Sequence, residues 1–430
     1  MQLTSTDRRI LRLALPAAGA LAAEPLYRLV DTAIVGRLGT EQLGGVAIAV
    51  SILTLVIGGS NFLAYGTTQR VANRLGSGDR AGAAIVGVQA FWLALIIGLI
   101  AAPLLAIFAE PLASLLGARE EVLAFATTYL RISAIGVPFV LITLAAEGTQ
   151  RGASDYRSPL IVLALSNVLN VVLEVVLVFG FDLGIAGAAW STVVAQALAG
   201  VALWRRTRPY TAAAPTRRPR WSEMAPLVAA GRHLLLRVGS MMAVFTGATA
   251  VAARIDDATL AAYSITMTMF SFLALTLDAL AIPAQTIVAE ELGKGGLGAA
   301  DVADRSARLS LRIGLGLAVV VGATAPVVAR LFTTDPLVIS RATVGLLILA
   351  LVMIPGSLAF STDGSLIGAG DYRFLGRAAL AYLVAVTPVA IVVLMFPALG
   401  IVGIWGGLLL WMSLRAAVNL HRTRTVLGRA

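Results

Sequence analysis

Long apolar stretches, broken by short segments rich in charge, Gly or Pro, run along nearly the whole chain. Blocks fall near 10–36, 43–73, 82–108, 121–147, 158–180 and 184–204, and after a polar segment near 225–253, 258–292, 301–329, 337–362, 374–396 and 399–420. About 20 apolar residues in a helix cross a bilayer's hydrocarbon. A helix bonds its own backbone, which lipid cannot do for it. The pattern therefore predicts an all-α membrane protein of twelve transmembrane helices. The first block is too long for a signal peptide and shows no small-residue cleavage site, so it reads as the first span.

Composition strengthens this reading. Hydrophobic residues make up 58% of the 430 positions and charged residues 13%, where a soluble domain carries roughly a quarter charged; mean hydropathy is +0.89. The chain has no cysteine, which excludes disulfides, thiolate metal sites and cysteine nucleophiles. A net charge of +10 raises the question of nucleic acid, but the excess lies in alternate connectors. Arg8, Arg9 and Arg12, then Arg74 and Arg80, Arg151 and Arg157, the central group Arg205, Arg206, Arg208, Arg217, Arg218 and Arg220, then Lys294, Arg373, Arg377, Arg422 and Arg424 form one set. The opposite set holds mainly Arg37, Arg119, Arg254 and Arg330, often beside an acid. Arg and Lys stay on the cytoplasmic side, so both termini and the central connector are expected there. A nucleic-acid partner is not expected.

The two halves repeat. Gly36-Arg37-Leu38 returns as Ala253-Arg254-Ile255, and Arg74-Leu75-Gly76-Ser77-Gly78 as Glu291-Leu292-Gly293-Lys294-Gly295. Glu147-Gly148, Gly152-Ala153 and Asp155-Tyr156-Arg157 return as Asp363-Gly364, Gly368-Ala369 and Asp371-Tyr372-Arg373, and Leu183-Gly184-Ile185 as Leu399-Gly400-Ile401. Six spans per half give both halves the same orientation. They are expected to be six-helix lobes related by a pseudo-two-fold axis along the membrane normal, as in several transporter folds. The expected divisions are an N-terminal lobe over 1–206, a cytoplasmic connector over 207–224 and a C-terminal lobe over 225–430.

A carboxylate at the bilayer centre costs at least ~2.5–3.5 kcal/mol, so each one requires an explanation. The first span carries Glu24, Tyr27 and Asp31 at spacings that share one helix face. Pro16 and Pro25 in the same helix permit a bend. The fifth span holds Asn167, Asn170 and Glu174, and the sixth Thr192. Together these are hard oxygen ligands suited to a proton or a sodium ion. The alternative is that they satisfy one another, with Arg28 pairing to Glu24 or Asp31. In the second half Asp31 aligns with Ala248, while Asn61 aligns with Asp278, an acid that either serves a cavity or pairs with an Arg such as Arg237. The coupling site is therefore expected in the N-terminal half. Glu147 and Asp363 read as capping or ion-pairing groups.

Other signals carry no chemistry. Gly293 to Gly298 fits a dinucleotide pattern but follows a membrane helix, not a strand. His233 and His421 lack metal-ligand spacing. No cofactor, nucleophile or ATP-binding loop is indicated, so an enzyme is not expected.

Glu24-Pro25-Leu26 leading to Val30-Asp31-Thr32-Ala33-Ile34-Val35-Gly36 resembles the first-span signature of the MATE (multidrug and toxic compound extrusion) exporters, and of their DinF-like branch in particular. Arg151-Gly152 with Asp155, Asn170 to Glu174, Leu277-Asp278-Ala279-Leu280-Ala281 with Gln285, and Asp363-Gly364 with Gly368 and Asp371 agree with it. The resemblance implies a V-shaped, two-lobed bundle in a bacterial inner membrane. It also implies a monomer that exports small cationic or amphipathic organic compounds in exchange for protons or sodium by alternating access. The family's cation site falls on Asp31, Asn170, Glu174 and Thr192, and Pro16 falls where its first helix bends. Glu174 stands where many relatives have Asp, and Arg28 where an apolar residue is expected. A lipid-linked precursor flippase of the same fold is the alternative. It calls for a cationic cavity, with Arg28, Arg131 and Arg237 as candidates.

Overall fold

The computed structural model describes residues 4–428, the Glu24 side chain excepted. It is helical nearly throughout: α1 (Ser5–Val35), α2 (Thr40–Ser60), α3 (Phe62–Gly76), α4 (Arg80–Ile107), α5 (Ala109–Leu115), α6 (Glu120–Ala134), α7 (Val137–Gly152), α8 (Arg157–Val175), α9 (Gly184–Arg206), α10 (Arg208–Thr211), α11 (Trp221–Ile255), α12 (Asp257–Gly293), α13 (Ala299–Phe332), α14 (Pro336–Gly368), α15 (Tyr372–Met395) and α16 (Gly400–Leu427). No strand occurs among the described residues.

Ten helical stretches are long and apolar enough to cross a membrane, and α6 with α7, bent by 50° between Ala134 and Val137, form an eleventh. Helix α1, 31 residues long, makes the twelfth; Arg8, Arg9, Arg12, Arg28 and Asp31 lower its hydropathy. The second span is divided into α2 and α3 at Asn61. Neither break is visible in the hydropathy pattern, which reads through them. Aspartates begin several helices by bonding orphan amides: Asp79 accepts from Gly82 N (2.8 Å), Asp256 from Thr259 N (2.8 Å) and Asp335 from Leu337 N (2.8 Å). Many large apolar side chains lie on the outside, among them Val319 and Phe272. That is stable against lipid and costly in water.

The chain forms two compact units, one from Gly19 to Gly231 and the other from Arg232 onward together with the start of α1 through Ala18. This differs from the expected divisions at 206 and 225. The reason is burial: Ile10 and Ala14 pack with Leu280, Ile287 and Val302, and Arg9 pairs with Glu290 at 2.5 Å. Helix α1 itself is helical through Pro16 and Pro25, and the division falls just beyond Pro16.

Each unit is built around one helix. In the first, α7 packs on α3, α4 and α9; in the second, α14 packs on α12, α13 and α16. Repeated glycines set these crossings. A Cβ on Gly148 would lie 2.7 Å from the Ala64 carbonyl oxygen and one on Gly152 2.9 Å from that of Thr68. In the second unit, Gly364 faces the Ala281 carbonyl and a Cβ on Gly368 would lie 2.5 Å from the Gln285 carbonyl oxygen. Small residues let membrane helices approach closely.

The connectors repeat too. Gly78 and Gly295 have positive φ (80° and 108°), as do Ser154 and Gly370 (61° and 73°) and Gly184 and Gly400 (51° and 45°). Nothing lies within 4 Å of a Cβ built on Gly184 or Gly400, so substitution there meets a backbone cost alone. Gly400→Ala is expected to destabilise by about 1–2 kcal/mol, whereas Ser154→Gly relieves strain and raises stability. Thermal unfolding of the purified protein measures both.

Candidate functional site

The unit from Gly19 to Gly231 gathers most of the expected polar residues. Helix α1 presents Tyr27 and Asp31, α8 presents Asn170 and Glu174, and α9 presents Thr192. Tyr27 OH donates to Asp31 Oδ1 at 3.1 Å and lies 3.4 Å from Thr192 Oγ1. Asn170 Nδ2 donates to Thr192 Oγ1 at 3.4 Å, and Thr192 bonds back to the Ala188 carbonyl at 3.0 Å. Thr192 thus makes the ordinary helical bond of a membrane threonine and also joins the cluster.

Asp31 is 7% exposed and Glu174 fully buried. The two carboxyl groups are close enough to act on each other electrostatically. Among the described residues neither Glu174 oxygen meets a donor, and nor does Asn170 Oδ1. Two buried negative charges this close repel strongly in a low-dielectric interior. The arrangement therefore calls for a positive partner, either a proton shared between the carboxyls or a small cation held by their oxygens. Asp31, Glu174, Asn170 Oδ1 and Thr192 Oγ1 supply hard oxygens for either. Arg28 is exposed and acts on Asp31 through space.

Directly after Glu174 the backbone widens into a π-helical turn, Val176–Gly180. Such turns cluster at functional sites. Gly187 of α9 packs onto this turn, where a Cβ would lie 2.9 Å from the Leu177 carbonyl.

The other expected residues fall differently. Asn167 turns to the backbone, donating to the Ala23 carbonyl of α1 at 3.3 Å. The Glu24 side chain lies outside the described residues. Asp278 belongs to the other unit, where Arg237 bonds Asp363 at 2.5 Å. Asp363 is the buried centre of a network. Arg415 Nη2 also donates to it (2.7 Å), as does Asn419 Nδ2 (2.6 Å), and Tyr382 OH donates to Asn419 (2.9 Å). Arg415, 3% exposed, stacks over Trp411 at 4.6 Å. These residues border a cavity of about 10 Å³, room for one water. Asp278 lies within electrostatic range of Arg237, Asp363 and Arg415. Asp363 reaches these partners because α11, α14 and α16 bring them together from distant sequence. Glu147 pairs within its own helix, with Arg151 at 2.5 Å.

Tyr129 was not singled out by sequence. It is buried on α6 beside Asp31, Glu174, Thr192 and Ser133. Its only sequence signal is a tyrosine four residues before Ser133 inside an apolar span.

Comparison with known proteins decides the family. The MatE family model matches residues 16–176 and again 236–400. The chain belongs to the MatE family. The double match coincides with the internal repeat. Among relatives, Protein DETOXIFICATION 44, chloroplastic, of Arabidopsis thaliana is 32% identical over 434 residues, covering 97% of this chain and 82% of that protein. DNA damage-inducible protein F of Escherichia coli (strain K12) is 29% identical, covering 96% and 91%. A crystal structure of MATE in the bent conformation superposes with a TM-score of 0.91 at 20% identity, covering 99% of this chain and 96% of that one. The MatE protein described here is a multi-pass membrane transporter and not an enzyme.

Proposed function

We propose that this MatE protein is a secondary exporter that exchanges small cationic or amphipathic organic compounds for protons or sodium ions. The observation that carries the reading is the buried pair Asp31–Glu174, whose Glu174 oxygens have no donor. A carboxyl pair in lipid-shielded protein has no structural gain to offset its cost; a transported positive ion gives it one. Loading one positive ion halves the charge of the pair and unloading restores it, so the two states favour different packing of α1 against α8 and α9. Tyr27, Asn170 and Thr192 orient the carboxyls and complete the oxygen set.

The flippase alternative draws no support from the three arginines it needs. Arg28 and Arg131 are exposed, and Arg237 is neutralised by Asp363. Charge placement along the connectors supports a cytoplasmic membrane with both termini inside, and the protein works as a monomer. The test is dye efflux from proteoliposomes with a proton gradient and a sodium gradient imposed separately. One gradient is expected to drive uphill export; export indifferent to both would sink the exchange mechanism.

A further inference from the structure

The central connector is more ordered than a link between two halves requires. Thr207, just before α10, and Thr211 within it are buried, and Thr211 packs near Gly87 of α4. Beyond α10, the Trp92 indole N–H donates to the Arg217 carbonyl at 2.6 Å. The Gln89 amide donates to the Arg218 carbonyl at 2.9 Å and accepts from the Arg220 N–H at 2.8 Å. Pro209, Pro215 and Pro219 stiffen the segment further. The backbone is thus tied down while the side chains of Arg217, Arg218 and Arg220 stay exposed, as do Arg205, Arg206 and Arg208.

These six arginines have no ion pair among the described residues. Elsewhere in the chain several arginines do meet an acid: Arg74 pairs with Asp79, Arg151 with Glu147, Arg305 with Asp301 and Arg422 with Asp371. Of the acids close to the central group, Asp155 is already bonded to Tyr210 OH and the Ser158 amide, which leaves Glu223 in the first turn of α11 as one acid beside six arginines. A topology signal needs charge count alone, neither a pinned backbone nor unneutralised guanidinia. Fixing six like charges in one place costs repulsion unless counter-charge arrives from outside. Indoles mark its level. Trp221 is 65% exposed at the start of α11, and Trp92 and Trp204 flank the segment. Tryptophan concentrates at headgroup depth.

We infer that the connector is a binding site for anionic phospholipid headgroups, with Arg217, Arg218 and Arg220 held by Gln89 and Trp92 to meet lipid phosphates of the adjoining leaflet. Clusters of basic residues beside a membrane gain affinity for an anionic surface, and salt weakens that gain.

The test uses the full chain in detergent micelles, with bound lipid read by native mass spectrometry as phosphatidylglycerol or phosphatidylcholine is added. The wild type is expected to retain phosphatidylglycerol preferentially, and the preference to fall as salt rises. The variant carrying Arg217→Gln, Arg218→Gln and Arg220→Gln loses about tenfold or more in phosphatidylglycerol affinity, and the corresponding Lys variant keeps most of it. Equal binding of the two lipids, or salt-insensitive binding, overturns the inference. So does a triple Gln variant that binds like wild type, or soluble glycerol phosphate competing as well as the lipid binds. Should the Gln variant fail to insert, the Lys variant and the salt series still decide.

Discussion

Asp31→Asn reduces gradient-driven dye efflux to the passive leak of protein-free vesicles while leaving yield and thermal unfolding close to wild type. The amide keeps the volume of the carboxyl and can still meet the Tyr27 hydroxyl, which lies 3.1 Å from Asp31 Oδ1. What disappears is the ionisable group. One carboxyl, Glu174, remains, without the close like-charged neighbour that makes the pair demand a positive ion. Thr192→Ala is expected to be much milder, since that hydroxyl carries no charge and its shortest hydrogen bond, 3.0 Å, is to its own helix at Ala188. The comparison is read in one proteoliposome assay. Unimpaired export by the Asn variant would remove Asp31 from the mechanism.

The second large effect is on stability and lies in the other unit. Asp363 accepts from Arg237, Arg415 and Asn419, and its side chain is almost fully buried. Asp363→Leu leaves two guanidinia in a low-dielectric setting without their shared carboxylate. Breaking a buried pair in this way costs about 3–5 kcal/mol. The variant is expected to melt far earlier in detergent, with Asp363→Asn between it and wild type. Adding Arg415→Met to Asp363→Leu should recover part of the loss, because it withdraws one stranded charge. A melting temperature unchanged in the Leu variant would show that the network contributes little.

Much of this architecture is legible in the chain itself, for identifiable reasons. Lipid imposes length and apolarity on most spans, so hydropathy marks eleven of the helical staves strongly and the more polar α1 less so. The repeat is legible because its glycines are structural. Gly148 and Gly364 mark the same close crossing, and Gly184 and Gly400 the same left-handed turn. Polar residues at helical spacing bring Tyr27, Asp31, Asn170 and Glu174 into view, since their burial costs free energy. Hydropathy cannot show the break at Asn61 or the 50° bend between α6 and α7, because both segments stay apolar through the change of direction. Nor can it show Tyr129, whose relevance depends on which helix packs against α1 and α8. The partner of Asp363 was ambiguous for a similar reason. Arg237, Arg415 and Asn419 lie far from Asp363 in the sequence, and only packing brings them to it.

The membership of α1 has a consequence for dissecting the molecule. Its opening turns supply Ile10 and Ala14 to the core of the unit that otherwise begins at Arg232. A gene split at the midpoint therefore does not yield two self-sufficient fragments. The downstream piece would display a bare apolar channel where the missing turns belong, and the upstream piece would carry an orphaned stave. Only co-production of both pieces lets that channel be filled again.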